Sequence, residues 1–411
     1  MVKIGPLWRI TAPLTYATVT PRDEIDRRLA ALRSALAADA LDGALIVQHT
    51  DLAYFSGTNQ QAHLVVPVTG EPVLLVRRVL DRARAESPLD RIEPLRSLGA
   101  LAAALVSAGL ESGTRIGLEL DVLPARLYLG YGRRLPDHEL DDCSPAVRRV
   151  RARKSDWELA RMRAAAEQVR RGAEAVPALI RPGVAESQVQ LEVERVLRLA
   201  GHQGQLRFRG FNQEMHYGQV LAGPSGAVPG YSDSPLCGPG PNPVLGKGPD
   251  GHVLETGDPV IADLVGGHDG WLADQTRTFG VGRLDADLHA AHDCAVAILR
   301  AAEAELRPGT PASALYDLAA GMAVDAGLDD HFMGAGPQRV RFLGHGVGME
   351  IDELPVLAPG FDEPLEEGNV IAVEPKFVFP GRGAVGIENM YAVTADGFET
   401  MTTAPEELIE A

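Results

Sequence analysis

The sequence predicts a mixed α/β protein of two unequal domains, on three observations: its length, a basic break near residue 150, and apolar spacings of both helical and strand type on each side of that break. The chain has 411 residues, more than one ordinary core of roughly 100 to 250 residues accommodates. The stretch from Arg148 to Lys154 is strongly basic and leads into Ser155-Asp156-Trp157-Glu158, a helix-capping signal followed by Leu159, Met162, Ala166 and Val169 at helical spacing. The division is therefore placed at residues 1–150 and 151–411.

In the first domain, Thr20-Pro21-Arg22-Asp23 supplies a capping Thr and a Pro for the first helical position. Ile25, Leu29, Leu32 and Leu36 follow at helical spacing, which predicts an amphipathic helix. Gly43 precedes the apolar run Ala44 to Val47, and the runs Leu64–Val68 and Val73–Val76 flank Thr69-Gly70, which reads as a hairpin turn. Beyond the break, Val189, Val193 and Val196 mark a second helix of that domain, residues 285–305 a third and 312–325 a fourth. Short strand candidates cluster after residue 255. Between Gly223 and Gly251 the chain is rich in Gly and Pro, as in Cys237-Gly238-Pro239-Gly240-Pro241. This reads either as a long ordered lid or binding loop, or as a disordered surface insertion.

Composition excludes several classes. No run approaches the roughly 20 apolar residues that cross a bilayer, and Met1–Thr20 lacks the continuous apolar stretch of a secretory signal, so a soluble, cytoplasmic protein is expected. The net charge of −17 repels nucleic-acid phosphates and anionic membranes. Cys143, Cys237 and Cys294 are odd in number and widely spaced, which indicates neither a disulfide framework nor a thiolate zinc site.

Three carboxylates stand in or at the end of apolar, strand-like runs: Asp263 in Val260–Val265, Glu374 after Val370–Val373, and Glu388 after Ala384–Ile387. An ionised carboxylate buried without a partner costs several kcal/mol or more, so such groups are paired with a cation or bound to metal. These runs supply few basic residues, Lys376 being the exception. Asp274 lies eleven residues after Asp263, with His268-Asp269-Gly270 between them as a hairpin turn, so two antiparallel strands would bring both acids to one face. In Gly344-His345-Gly346-Val347-Gly348, glycines around the ring leave room for a ligand or metal, although taken alone the pattern reads first as a core His bonded to backbone. Four carboxylates and one imidazole form a hard, oxygen-rich set suited to Mn, Co, Fe or Zn, and four negative charges balance two divalent cations.

These residues resemble the motifs of the pita-bread metallohydrolases, which include methionine aminopeptidase, prolidase, aminopeptidase P and creatinase. Asp263 with Asp274-Gln275-Thr276-Arg277-Thr278-Phe279 is similar to that family's first metal strand pair. Gly344–Glu350 is similar to its His motif, and Val373-Glu374-Pro375 and Gly386-Ile387-Glu388-Asn389 to its two Glu motifs. Arg28-Leu29, Leu41-Asp42-Gly43-Ala44 and Tyr54-Phe55-Ser56-Gly57-Thr58 resemble the N-terminal domain of the creatinase and prolidase branch. The resemblance implies a pita-bread catalytic domain behind a smaller α/β creatinase-like domain, and two divalent metal ions, manganese first and Co, Zn or Fe after it. Asp263 would chelate one ion, His345 and Glu374 the other, and Asp274 and Glu388 would bridge both. Thr276 would steady the bridging water from behind the ligands, and Glu374 would double as general base. A small peptide substrate and a homodimer are implied as well.

Three positions depart from the family pattern. Gly230 and Asp352 stand where substrate-facing histidines are usual, and Gly386 stands where an Arg is usual before the last Glu. His216 either replaces one of these histidines or is a structural or surface residue. The function implied is an Xaa-Pro dipeptidase or aminopeptidase. The alternatives are a creatinase-like hydrolase or lyase acting on a small C–N or C–S substrate, and a non-catalytic binding module, a class that tends to lose metal ligands retained here.

Overall fold

The structure is a computed structural model that describes residues 19–214 and 216–411. Most of the N-terminal segment read above for a signal therefore lies outside the described residues. The chain divides into two compact units, residues 1–150 and 151–411.

The first unit holds a six-stranded sheet of β1 (Gly43–Ile46), β2 (Ala62–Pro67), β3 (Val73–Val76), β4 (Ile92–Pro94), β5 (Arg115–Leu118) and β6 (Glu139–Asp142). Their order is β4-β3-β2-β1-β5-β6. The strands alternate with α1 (Arg22–Ala38), α2 (His49–Ser56), α3 (Leu80–Glu86), α4 (Leu101–Ser107) and α5 (Ala125–Gly132), and α6 (Ser144–Ala152) follows β6. β2 and β3 pair antiparallel across the Thr69-Gly70 turn, where Gly70 has φ 118°, a conformation that Gly adopts without steric cost. Ile25, Leu29, Leu32 and Leu36 are all buried on the inner face of α1. The start of α1 differs from expectation. Pro21 is extended at ψ 153° and is the N-cap itself, and no side chain caps the helix. The Pro21 carbonyl accepts the first helical bond from Ile25 N, so Thr20 falls outside the helix.

The second unit begins with α7 (Asp156–Leu179), started by the capping box of Ser155 and Glu158, and continues with α8 (Glu186–Leu199) and β7 (Gly218–Ala222). The long hairpin of β8 (Pro259–His268) and β9 (Trp271–Gly280) precedes α9 (Ala286–Glu305) and α10 (Ala312–Asp325). Then come β10 (Gly344–Gly346), β11 (Glu353–Leu357), β12 (Val370–Val373), β13 (Lys376–Phe379), β14 (Gly383–Gly386), β15 (Asn389–Val393), β16 (Phe398–Thr400) and β17 (Ile409–Glu410). Three sheets result, in the orders β17-β9-β8-β7, β11-β10-β12-β15-β16 and β13-β14.

Val169, Ala173 and Val176 of α7 and Val189 and Val193 of α8 share one core with Val220, Ala262 and Leu264 of the hairpin sheet. The fit is close: a Cβ on Gly266 would meet the Ala165 carbonyl oxygen at 2.2 Å, so any side chain there would push α7 off β8. A second core gathers Ile298, Leu299, Leu315, Ile371, Phe377 and Tyr391. After a single 3-10 turn at Gly223–Ala227, no helix or strand forms until Pro259, as the Gly and Pro content required. No helix among the described residues is long and apolar enough to cross a membrane.

Candidate metal centre

The β8–β9 hairpin turns at Asp269 and Gly270, with φ of 49° and 88°, and this turn fixes the register. Asp263 pairs with Thr276, and Asp274 pairs with Val265. Directly opposed residues share a face, as do residues two apart along one strand, so Asp263, Thr276 and Asp274 all project from the same side. The spacing of the two aspartates is a consequence of that register.

The other ligand candidates come from the second sheet and its neighbour. His345 sits in β10 opposite Ala372 of β12. Glu374 follows β12 directly, and its amide donates to the Leu343 carbonyl at 2.9 Å. Glu388 lies between β14 and β15, and its amide donates to the Thr276 carbonyl at 3.1 Å. His345 Nε2 is 3.5 Å from Glu374 Oε1 and 4.0 Å from Asp274 Oδ2. The other ring nitrogen, Nδ1, is 3.1 Å from the Gly346 carbonyl oxygen. With the proton on Nδ1, the Nε2 lone pair faces the carboxylates, the tautomer a metal ligand needs.

A divalent cation fits this set. One ligand atom from each of Asp274, His345 and Glu388 lies within 4.8 Å of the others. Asp274 Oδ1 and Glu388 Oε1 are buried without a hydrogen-bond partner, and buried carboxylate oxygens are normally satisfied. A bound cation would satisfy both. Thr276 Oγ1 donates to Glu388 Oε2 at 2.6 Å and lies 3.1 Å from Asp263 Oδ1.

Lys376 stands inside the same cluster, 1% exposed, with Nζ 2.5 Å from Glu374 Oε2, 3.0 Å from Glu388 Oε2 and 4.0 Å from Asp263 Oδ2. Burial and the neighbouring carboxylates push Asp274 well above the usual carboxylate range. Burial brings Glu374 to about 7 despite the Lys376 charge. Glu388 behaves differently: burial would raise it, but Lys376, His345 and the Thr276 hydroxyl hold it below its ordinary value. Burial by itself lowers the pKa of Lys376, yet the charges of Asp263, Glu374 and Glu388 push it well above the ordinary lysine range.

A cavity of about 540 Å³ opens beside Asp263, lined among others by His216, Gln219, Tyr231, Leu245 and Lys247. His216 and Asp263 therefore share one cavity, and part of the Gly- and Pro-rich loop forms its wall. Asp352 is half-buried just before β11, and Val356, not Asp352, stands opposite His345. Gly230 and Gly386 leave no space for the side chains usual in the resembled family. A Cβ at Gly230 would meet Cys237 Sγ at 1.9 Å, and one at Gly386 would meet Lys376 Cα and Cγ at 2.8 Å. All three cysteines are free thiols.

Two further residues, without a role in the motifs above, brace the segments that carry these side chains. Arg277 is 2% exposed and donates to the carbonyls of Thr276, Glu388 and Ala404 and to Asn389 Oδ1. Thr278 Oγ1 donates to the Gly386 carbonyl at 2.7 Å. An Arg in a strand otherwise wholly buried was the available signal for the first; nothing local marks the second.

Comparison with known proteins points to one family. The profile of metallopeptidase family M24 matches residues 160–395, and that of the creatinase/prolidase N-terminal domain matches residues 28–153. The probable dipeptidase PepE of Mycobacterium tuberculosis is 29% identical over 404 residues, covering 94% of this chain and 96% of the relative. The Xaa-Pro dipeptidase of Bacillus anthracis superposes with a TM-score of 0.81 at 25% identity, over 94% of this chain and 100% of that structure. Dipeptidase PepE of Mycobacterium ulcerans does so with a TM-score of 0.78 at 26% identity, over 95% and 99%. M24 metallopeptidases use a dinuclear divalent-metal site. With a creatinase-like first domain and a pita-bread second domain that gathers the carboxylates around His345, this chain belongs to metallopeptidase family M24, a family of metal-dependent hydrolases.

Proposed function

We propose that this protein is an Xaa-Pro dipeptidase or aminopeptidase that cleaves short peptides. The observation that carries the reading is the pair of buried, unpartnered carboxylate oxygens, Asp274 Oδ1 and Glu388 Oε1, beside His345. In this reading Asp263, Asp274, His345, Glu374 and Glu388 hold two divalent cations, manganese first, with Co, Zn and Fe compatible with the same donors. Bound there, such ions supply Lewis acidity and lower the pKa of water. Glu374, pushed up to about 7 by burial, takes the proton of the attacking water and returns it to the leaving amine. Thr276 fixes Glu388 by its hydrogen bond. In this reading the cavity beside Asp263 receives the peptide, and His216 on its wall donates to the scissile carbonyl. The printed names of the relatives, dipeptidase and Xaa-Pro dipeptidase, support the substrate class.

Gly230, Asp352 and Gly386 support a second reading, a creatinase-like hydrolase or lyase acting on a small C–N or C–S substrate, because the substrate-facing side chains usual in the family are replaced there. The resemblance supports a homodimer. A cytoplasmic location is supported by three free thiols, which persist in reducing compartments.

The test is hydrolysis of a panel of Xaa-Pro dipeptides and longer Xaa-Pro peptides by metal-stripped protein reloaded with Mn, Co or Zn. Metal-dependent release of the N-terminal residue or of proline is expected. Two bound ions per chain with silence across the panel would overturn the peptidase reading in favour of the second.

A further inference from the structure

We propose that Lys376 is a resident cation of the metal centre: it binds the carboxylates when metal is absent and competes with one of the two divalent ions, so that the two ions bind unequally. The proposal rests on the metal-centre reading above. Its basis is the placement of one side chain. Lys376 Nζ reaches three of the four candidate ligand carboxylates, Glu374, Glu388 and Asp263. The one it does not reach is Asp274. Asp274 instead faces His345, and Asp274, His345 and Glu388 offer the ligand atoms close enough to share one ion. One side of the cluster is thus ready for a metal and the other already holds a positive charge.

The ammonium has no easy retreat. The side chain is 1% exposed, and its ion-pair partners are all members of this cluster. The backbone is held on both sides, by pairing with Gly386 and by the Met333 amide donating to the Lys376 carbonyl at 2.9 Å. Gly386 makes room for the stem, since a Cβ there would meet Lys376 Cγ at 2.8 Å. A metal ion needs oxygens at roughly 2.0 to 2.2 Å. An ammonium hydrogen-bonded to Glu374 Oε2 and Glu388 Oε2 fills that volume and repels a second cation at close range. An ion that takes Glu388 Oε2 beside Asp263 must displace it, whereas one held by Asp274, His345, Glu374 Oε1 and Glu388 Oε1 need not, because Lys376 grips the other oxygen of each glutamate.

The experiment is calorimetric titration of chelator-stripped protein with Mn²⁺, together with Mn²⁺ paramagnetic resonance, on wild type, Lys376→Met, Lys376→Gln and Lys376→Arg. In wild type the first ion is expected to bind at least about tenfold more tightly than the second, with an isolated Mn²⁺ signal at one equivalent. Lys376→Met or Lys376→Gln should tighten the second ion by about tenfold and bring in the spin-coupled signal of a pair at lower metal. Lys376→Arg, which keeps the charge, should leave the second ion weak. Either neutral variant suffices if the other fails to fold, and circular dichroism reports that. Two ions of equal affinity in wild type, or an unchanged second ion in a folded neutral variant, would overturn the proposal while leaving the metal centre in place. Absence of metal binding in every protein would overturn both.

Discussion

Thr276 and Glu388, 112 residues apart, are joined twice: the Thr276 hydroxyl donates to Glu388 Oε2 at 2.6 Å, and the Glu388 amide donates to the Thr276 carbonyl at 3.1 Å. The backbone contact sets where the carboxylate begins, and the hydroxyl sets which of its oxygens turns inward. Glu388 Oε1 is left without a hydrogen-bond partner.

Thr276→Val keeps the strand and the backbone bond but deletes the hydroxyl. Partners of this kind typically change metal affinity 10- to 100-fold, so Mn²⁺ affinity should fall by at least about tenfold, with the unfolding midpoint of the metal-free protein little changed. Unaltered affinity by calorimetry would remove Thr276 from the centre.

Glu374→Gln retains shape and one acceptor oxygen but cannot take up a proton at neutral pH. A general base contributes about 10²- to 10⁴-fold, and the variant should lose kcat in that range on any peptide the wild type cleaves. Near-wild-type kcat at saturating metal would assign the proton transfer elsewhere.

Metal should stabilise the fold. A ligand that binds only the native state at 100 times its Kd contributes about 2.7 kcal/mol, which at this size corresponds to a rise of about 3 to 5 °C in Tm. Asp274→Asn, which replaces an unpartnered oxygen, should lose most of that rise. A metal-induced shift equal to wild type in this variant would contradict the ligand assignment.

Arg277 ties β9 to the segment carrying Glu388 and Asn389. Arg277→Met takes this donor from the buried carbonyls of Glu388 and Ala404, while the Thr276 carbonyl keeps the Glu388 amide, and unsatisfied buried groups cost about 1–3 kcal/mol each. A loss of about 3 kcal/mol or more is expected in denaturant unfolding of the metal-free protein. A change below about 1 kcal/mol would show that water or backbone replaces it.

Acid should destabilise the first unit through His63. Its ring is buried, with Nε2 2.8 Å from the Tyr131 hydroxyl. Burial, with the Arg77 charge, lowers its pKa from 6.5 to about 4. Between those values the unfolded chain binds more protons, so stability is full above pH 6.5 and is lost as pH falls toward 4. The loss from this ring reaches about 3 kcal/mol. His63→Gln should flatten the acid limb of the stability profile by that amount; an identical slope in both proteins would discount the ring.

Local sequence alone determined a good deal. Buried-type runs ending in acids, glycines around His345 and the turn at Asp269-Gly270 are short-range signals, and side-chain alternation along a strand is a fixed property of the backbone. Asp263, Asp274, His345, Glu374 and Glu388 could therefore be named as candidate ligands, and two-domain α/β character read, before any contact was known. What the sequence could not assign was the direction and company of single side chains. Glu-Pro-Lys reads the same whether Lys376 turns to solvent or into the cluster; the pairing of Lys376 with Gly386, whose missing side chain admits it, decides that. Arg277 and Thr278 find partners more than 100 residues away. His216 reaches the cavity beside Asp263 only through the path of a loop with no period to read. The choice of candidate ligands is a matter of residue type and spacing, which are local; the charge balance of the cluster depends on which strands meet, and only tertiary packing decides it.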